Sequence, residues 1–429
     1  MIKNIIIVIT LLLSSTLLAN TEVDNSLSKF VKNSYIVTFK KPKAGFLPLI
    51  ETPNKNDKRI EPIPFGEHSS QQTKQEIAEK INLKGEIISI FDNINAIHVK
   101  MDEKEAYKLS LDKRVLLVEQ DMLATTTITQ ANSGWGLGRI DEQTANSNNS
   151  YDYSFTGSGR TIYVLDSGLN IGLTNVINEF GTRASVIWDV NNNGGNDCLG
   201  HGSRVSSAAA GNTYGVAKGA ILIMAKITNV CTGDSNITTS VLAFNWLATN
   251  APAGSIVNWS HGLSNGLNSC NNTIFSTALE NSIRAAHNAG IIVVVAAGND
   301  NCDTANFSPT NIPEAFVVGA TNNIGFPFSD RKTSFSRTGW NISTFAPGEN
   351  LLLMGQNGNQ VTSSGTSFSA PYIAGVFAVA CEISGTLCNS GNTAFLYDTL
   401  RGTGTLNTVT NTNGAALTGA VSRFISQQW

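Results

Sequence analysis

Residues 291–299 read Ile291-Ile292-Val293-Val294-Val295-Ala296-Ala297-Gly298-Asn299. A strand with one wet face alternates apolar and polar residues, whereas an unbroken apolar run closed by a turn is a strand covered on both faces. The same unbroken pattern recurs at Thr161–Leu165, Ile221–Ile227, Ser255–Asn258 and Ala315–Gly319. Helical stretches fall between most of these runs, around Val205–Ala210, Ile237–Thr249, Thr273–Ala289 and Ala370–Cys381. Strands and helices in this alternation predict an α/β domain with a mostly parallel sheet. Ligands of such sheets bind beyond the carboxyl ends of the strands, so the residues that close each run are where chemistry is sought.

Upstream the pattern differs. Tyr35–Phe39 reads as a strand, Gln72–Asn82 as a helix, Ile87–Phe91 and Ala96–Val99 as paired strands, Glu103–Ser110 as a helix and Val115–Gln120 as a last strand. That order is β-α-β-β-α-β, a small α+β ferredoxin-like unit. A Pro- and Lys-rich insertion from Lys40 to Glu67 interrupts it as a loop. Composition changes around residues 121–135, from Lys and Glu to Gly, Asn, Ser and Thr, and the uncharged junction Ala124–Gln130 reads as an accessible linker. At the N-terminus, Lys3 precedes an apolar stretch, Ile5–Leu13, and small or polar residues follow to Ala19. This is the pattern of a secretory signal, too short for a membrane span. The expected divisions are therefore 1–19, 20–127 and 128–429. No later segment reads as a span, and the tail from Thr386 to Trp429 carries no motif beyond what packing on the second unit requires.

The chain has 429 residues, 41% of them hydrophobic and 14% charged, with a net charge of −3. Such a length calls for at least two folding units, and the composition is that of a globular protein. No basic run is long enough to bind a polyanion, which argues against nucleic acid as a partner. All six cysteines (Cys198, Cys231, Cys270, Cys302, Cys381, Cys388) lie in the second unit. In an exported protein they are candidate disulfide partners; the rival reading, a metal site, lacks a C-x₂-C pair or a matched His cluster.

Three polar residues stand at the places the strand-end rule selects. Asp166 closes the run Thr161–Leu165, His201 lies between two glycines at the start of a small-residue helix, and Ser367 lies in a loop entering a helix. Singly, each is explained as a cap or turn residue. Jointly they meet the needs of nucleophilic catalysis: a serine hydroxyl needs an imidazole to take its proton, and that imidazole needs a buried carboxylate to fix its tautomer. The order Asp, His, Ser differs from that of the α/β-hydrolases, and Ser369 stands where a G-x-S-x-G elbow has its second glycine. Asn299 adds an amide that could donate to a developing oxyanion, alongside the Ser367 backbone N–H.

At this point the chain resembles the subtilisin-like serine peptidases, and among them the proteinase K-like branch. The resemblance rests on ordered phrases: Trp135–Ile140, Asp166–Gly168, Gly200–Ser203, Ala296–Asn299, Phe307–Pro309, Ser334–Ser336 and Gly365–Ser367. It covers about residues 130–385, and residues 30–121 are similar to the family's inhibitory propeptide. It implies a three-layer subtilisin-like catalytic domain, an Asp166–His201–Ser367 triad with Asn299 as the oxyanion donor, and self-removal of the propeptide near 124–130. It further implies a cleft in which Ser260, His261, Gly262 and Gly233 line an extended substrate, with Ala296 and Gly298 walling a primary pocket for a bulky apolar side chain. No cofactor is required for such catalysis; structural calcium is compatible with the family, without an assignable ligand set. The implied partners are protein or peptide substrates and the chain's own propeptide, with the enzyme a monomer.

Departures from the family pattern are informative. Arg204 stands where a second His is usual, placing a permanent cation near His201. Tyr372 replaces a His after the Ser-motif proline, and His261 and Leu263 replace the usual Leu and Gly of the cleft edge. Ser343 stands where a calcium-binding acid is expected before Phe345–Gly348. Cys198 and Cys231 match a pair of the proteinase K-like branch; Cys381 and Cys388 can close a small loop, which leaves Cys270 with Cys302. The resulting expectation is a secreted serine endopeptidase, with a catalytically silent peptide-binding relative as the alternative. An ester hydrolase using the same chemistry is a weaker one.

Overall fold

The computed structural model describes residues 30–40, 71–122, 126–142, 149–190, 194–228, 231–263, 270, 273–322, 330–383, 388, 393–403, 405–406, 409–410 and 423–424. The expected signal, most of the 40–67 insertion and most of the tail lie outside these residues.

The first unit holds β1 (Phe30–Phe39), α1 (Gln71–Ile81), β2 (Glu86–Phe91), β3 (Ala96–Lys100), α2 (Glu103–Ser110) and β4 (Val115–Met122). Its sheet runs β2-β3-β1-β4 with every pair antiparallel. This is the split βαβ order expected from the sequence. Val37, Ile97 and Val99 of the sheet are buried with Ile77 of α1 and Leu109 of α2. The start of α2 is fixed by Asp102, whose carboxylate accepts from Glu105 N at 2.7 Å, satisfying one of the otherwise unpaired first N–H groups.

The second unit begins inside the expected linker. β5 (Ile128–Ala131) pairs antiparallel with β6 (Ser150–Tyr153) across α3 (Trp135–Ile140). β-branched residues suit the strand, but its partner lies too far along the chain for local reading to find. The main elements follow as β7 (Thr161–Asp166), α4 (Thr174–Phe180), β8 (Ala184–Asp189), α5 (His201–Ala210), β9 (Ile221–Lys226), α6 (Ile237–Asn250), β10 (Ile256–Trp259), α7 (Thr277–Asn288), β11 (Ile292–Ala296) and β12 (Phe316–Asn322). After these come β13 (Arg331–Lys332), β14 (Ile342–Pro347), β15 (Leu351–Met354), β16 (Gln360–Ser363), α8 (Thr366–Ile383), α9 (Thr393–Thr403), β17 (Thr405–Leu406) and β18 (Arg423–Phe424).

From β8 the sheet runs β9, β7, β10, β11, β12 and β14, all parallel, then β18 and β17 at the edge. After β7 the chain builds β8 and β9 on one side, then crosses to β10 on the other. The order therefore reverses between β7 and β10, and a crevice opens beyond their carboxyl ends. Register makes this specific: Leu165 pairs with Trp259, so Asp166 and Ser260 leave the sheet side by side.

β8 and β14 are among the strands that the sequence pattern does not mark. β8 has one parallel neighbour and partly exposed residues, so its run is not continuous. β14 is fully buried despite Ser343 and Thr344, because their hydroxyls are hydrogen-bonded: Ser343 Oγ accepts from Val317 N, and Thr344 Oγ1 donates to Phe345 O. Helix α8 corrects one expectation, since by length and composition it could cross a membrane. It is instead a core helix, packed on α5, β11 and β12. In α9, Tyr397 is buried against Phe316 and Phe377 and its hydroxyl is bonded to the Val293 backbone. Disulfides join Cys198 to Cys231, Cys270 to Cys302 and Cys381 to Cys388.

Candidate active site

Asp166, at the end of β7, is fully buried. Its Oδ1 lies 2.8 Å from His201 Nδ1 and accepts from Ser167 N at 2.7 Å. Burial alone would raise this carboxyl, but the charge and hydrogen bond of His201 outweigh it and hold Asp166 below the usual range. Burial likewise pulls the His201 imidazole down, and the Asp166 carboxylate reverses this, leaving His201 above its ordinary value. The Arg204 charge acts the other way on His201.

His201 is the first residue of α5, and what places it there is a buried acid the sequence reading passed over. Asp197 accepts from Gly200 N (2.7 Å), Leu199 N (3.1 Å) and Ser167 Oγ (2.9 Å) with one oxygen. Its other oxygen accepts from Ser203 N and Ser203 Oγ. One carboxylate thus binds the turn after Asp166 to the first turn of the His201 helix, where a negative charge is also favoured by the helix dipole. Ser167 Oγ accepts from Gly202 N at 2.8 Å. Only glycine fits at 202, because a Cβ there would stand 2.4 Å from Gly168 O. Lys226, buried at the end of β9, donates to Ser167 O and to Asn196 O (2.8 Å).

Ser367 lies within α8, which begins at Thr366, and not in the loop before it. Pro371 explains how the helix can start so early. It has no N–H to give the Ser367 carbonyl four residues back. Ser260 Oγ takes that place, donating to Ser367 O at 2.9 Å. The Ser367 hydroxyl in turn donates to Ser260 O at 3.2 Å. The ring of the next residue, Phe368, lies 5.5 Å from that of His201. So β10, α5 and α8 converge on one spot.

Asn299 is oriented by Thr366. Its Oδ1 accepts from Thr366 N and from Thr366 Oγ1, each at 2.9 Å. Both bonds turn the carboxamide oxygen inward, which leaves Nδ2 on the side of Gly365, 3.6 Å from where a Cβ at 365 would stand. Gly298 N donates to Thr366 Oγ1 at 3.1 Å, tying the strand-end loop to the start of α8. Gly298 has φ +112, and a Cβ there would meet Arg337 Nε at 2.5 Å. Arg337 is held by Asp300 through two bonds of 2.7 and 2.6 Å and stacks on Phe307. The face of Gly298 expected to leave room for a substrate is therefore occupied by a paired guanidinium; Ala296 is buried at the end of β11.

The other cleft residues are placed as follows. Ser260 is buried, and Gly262 is exposed with open space where a side chain would project. Gly233 packs against Leu199, two residues before His201, in a segment tied to that loop by the Cys198–Cys231 disulfide. His261 is turned inward, with Nε2 3.7 Å from Asp166 Oδ2 and its ring edge-on to that of His201. Burial lowers its pKa, against the pull of the Asp166 charge. Its ring nitrogen therefore faces the carboxylate.

The departures noted in the sequence also acquire neighbours. Arg204 has no carboxylate partner among the described residues. Its Nε donates to Gly200 O (2.8 Å), Nη1 reaches Ser363 Oγ (3.4 Å) and the guanidinium lies over Phe368. Tyr372 is buried, and burial raises its hydroxyl pKa. Arg401 Nη2 donates to Ser343 Oγ at 3.0 Å. A guanidinium there is incompatible with calcium, which needs a shell of oxygens. Thr366 and Asp197 were legible as neighbours of the Ser and His motifs; Ser363 and Arg337 had no local signal.

Known proteins bear on this arrangement. Residues 157–414 match the model of the subtilase family, and residues 34–127 match that of peptidase inhibitor I9. Alkaline serine exoprotease A of Vibrio alginolyticus is 31% identical over 325 residues, covering 74% of this chain and 57% of that protein. The extracellular serine proteinase of Thermus sp. is 33% identical over 290 residues, covering 67% of this chain and 66% of that protein. The chain thus spans 57% and 66% of the length of these two curated relatives. A solved cold adapted subtilisin-like serine proteinase superposes with a TM-score of 0.60 at 31% identity, covering 70% of this chain and 100% of that one.

Proposed function

The chain belongs to the subtilase family, in its proteinase K-like branch, and from that premise we propose that it is a secreted serine endopeptidase with Asp166, His201 and Ser367 as its triad. The observation that carries this reading is the pairing of buried Asp166 with His201, with the Asn299 amide turned toward the Ser367 loop.

In this reading the Ser367 hydroxyl leaves the Ser260 carbonyl and gives its proton to His201 Nε2 as Oγ attacks the scissile carbonyl. Asp166 holds the Nδ1–H tautomer and stabilises the imidazolium. The oxyanion takes hydrogen bonds from Asn299 Nδ2 and the Ser367 N–H, which lies in the first helical turn and so has no partner within the helix. His201 then protonates the leaving amine, and water attacks the acyl-enzyme by the same route. An extended peptide pairs its backbone with residues 258–262 and 232–234, a mode that tolerates many sequences. Residues 1–19 direct export, and 20–127 act as an intramolecular inhibitor that the catalytic domain, 128–429, cuts away near 124–130. The mature enzyme is a monomer acting on proteins or peptides.

The test compares the wild type with Ser367→Ala in a secreting host. A shortened wild type beside a full-length variant, with hydrolysis of a denatured protein by the wild type alone, supports the reading. Identical full-length precursors without hydrolysis would favour the silent peptide-binding relative instead.

A further inference from the structure

Beneath His201, two buried ligand atoms face one another without a bond. Asp166 Oδ2 and His261 Nε2 are 3.7 Å apart, and neither has a hydrogen-bond partner among the described residues. Asp166 is 0% exposed and the His261 side chain 13%. The gap is too wide for an N–H···O bond, which spans about 2.7–3.2 Å. It is close to the spacing of two ligands on one small ion: zinc–nitrogen and zinc–oxygen bonds of about 2.0–2.1 Å put tetrahedral neighbours about 3.3–3.4 Å apart. A third ligand is at hand, since one donor atom each from Asp166, His201 and His261 lie within 4.8 Å of one another.

We propose that Asp166, His201 and His261 form a binding site for a zinc-like divalent transition metal ion, and that filling it switches the protein off. Two imidazoles and a carboxylate, with water as a fourth ligand, are a donor set that such ions favour and calcium does not. His261 supplies the part of the site that is peculiar to this chain, because its position is commonly Leu in the family. The His201 nitrogen that faces the ion is Nδ1, which already approaches Asp166. The neutral ring carries a single proton, on Nδ1 beside Asp166; a metal bound at Nδ1 takes the lone pair there, and the proton moves through solvent to Nε2 with no net release. Such a ring cannot accept a proton from Ser367. Metal binding is independent of the protease reading; the loss of activity rests on it.

Binding is read first, without activity. The full chain carrying Ser367→Ala is titrated with Co²⁺, and the visible absorption of a four- or five-coordinate ion is followed, with Zn²⁺ added to displace it. The expected result is a zinc-displaceable band that His261→Leu abolishes. His261→Gln, polar but without a ring nitrogen, should abolish it too, which guards against misfolding of either variant. No band, or a band that both variants keep, overturns the site. Activity is read second, each protein being compared with its own metal-free rate. Zn²⁺ should inhibit the wild type at concentrations at least tenfold below those that inhibit His261→Leu. Equal sensitivity overturns the switch. A protein that cleaves nothing without metal sinks the protease reading while the cobalt band still decides the site.

Discussion

Ser260 and Ser367 are hydrogen-bonded in both directions: Ser260 Oγ donates to Ser367 O at 2.9 Å, and Ser367 Oγ donates to Ser260 O at 3.2 Å. The first bond is needed because Pro371 cannot satisfy that carbonyl. Ser260→Ala therefore leaves a buried acceptor unpaired, at a cost of about 1–3 kcal/mol. The expected outcome is a lower melting temperature together with a fall in kcat larger than the change in KM, since the geometry of the nucleophile loosens more than the cleft. A change confined to KM would contradict this account.

Asn299→Ala should lower kcat by about 10²–10³ with KM little altered, the signature of a donor used in the transition state. Thr366→Val removes the hydroxyl that bonds Asn299 Oδ1 and accepts from Gly298 N but keeps the Thr366 N–H, so its loss should be smaller. Steady-state kinetics on a short peptide substrate measures both. An Asn299→Ala enzyme with unimpaired kcat would remove Asn299 from the mechanism.

Asp141 gives the fold a pH dependence unrelated to catalysis. Burial, together with the nearby Glu142 and Asp152 charges, raises its carboxyl to about 7, while the Asp152 N–H (2.6 Å) works against this. The folded chain then holds a proton that the unfolded chain releases near 3.8. Its contribution is fully present below that value and is lost as pH rises to about 7. Asp141→Asn should remove that slope and exceed the wild type in stability at pH 8, by on the order of 2 kcal/mol. Denaturant unfolding from pH 4 to pH 8 tests it, and parallel profiles for the two proteins would refute it.

The Cys198–Cys231 disulfide closes a loop with a sequence separation of 33, in the segment that presents His201. Replacing both cysteines with Ala should destabilise the protein by about 3–4 kcal/mol, chiefly by releasing the unfolded chain. Thermal unfolding of the variant beside the wild type measures this.

Much of the fold was legible because its signals are local. The six elements of the first unit were placed to within a few residues at most of their ends, except the start of β1, since each carries its own periodicity. The parallel strands β7, β9, β10, β11 and β12 were found from unbroken apolar runs. β14 was missed because its serine and threonine look polar until Val317 N and Phe345 O are brought beside them. Helix α8 was begun four residues late, since Pro371 reads as a boundary until Ser260 is seen to serve the carbonyl it frees.

The sequence by itself determined the order Asp166, His201, Ser367, the strand end on which Asp166 stands and the chemistry those residue types can perform. These follow from neighbours along the chain. Tertiary structure alone decided that Asp197 joins the Asp166 turn to the His201 helix, that Thr366 orients Asn299, and that Arg204 meets Phe368 and Ser363 with no carboxylate partner among the described residues. It also decided that His261 faces Asp166. The physical reason is the reversal of strand order between β7 and β10. That reversal sets residues almost a hundred positions apart in register, and no periodicity within either segment encodes it.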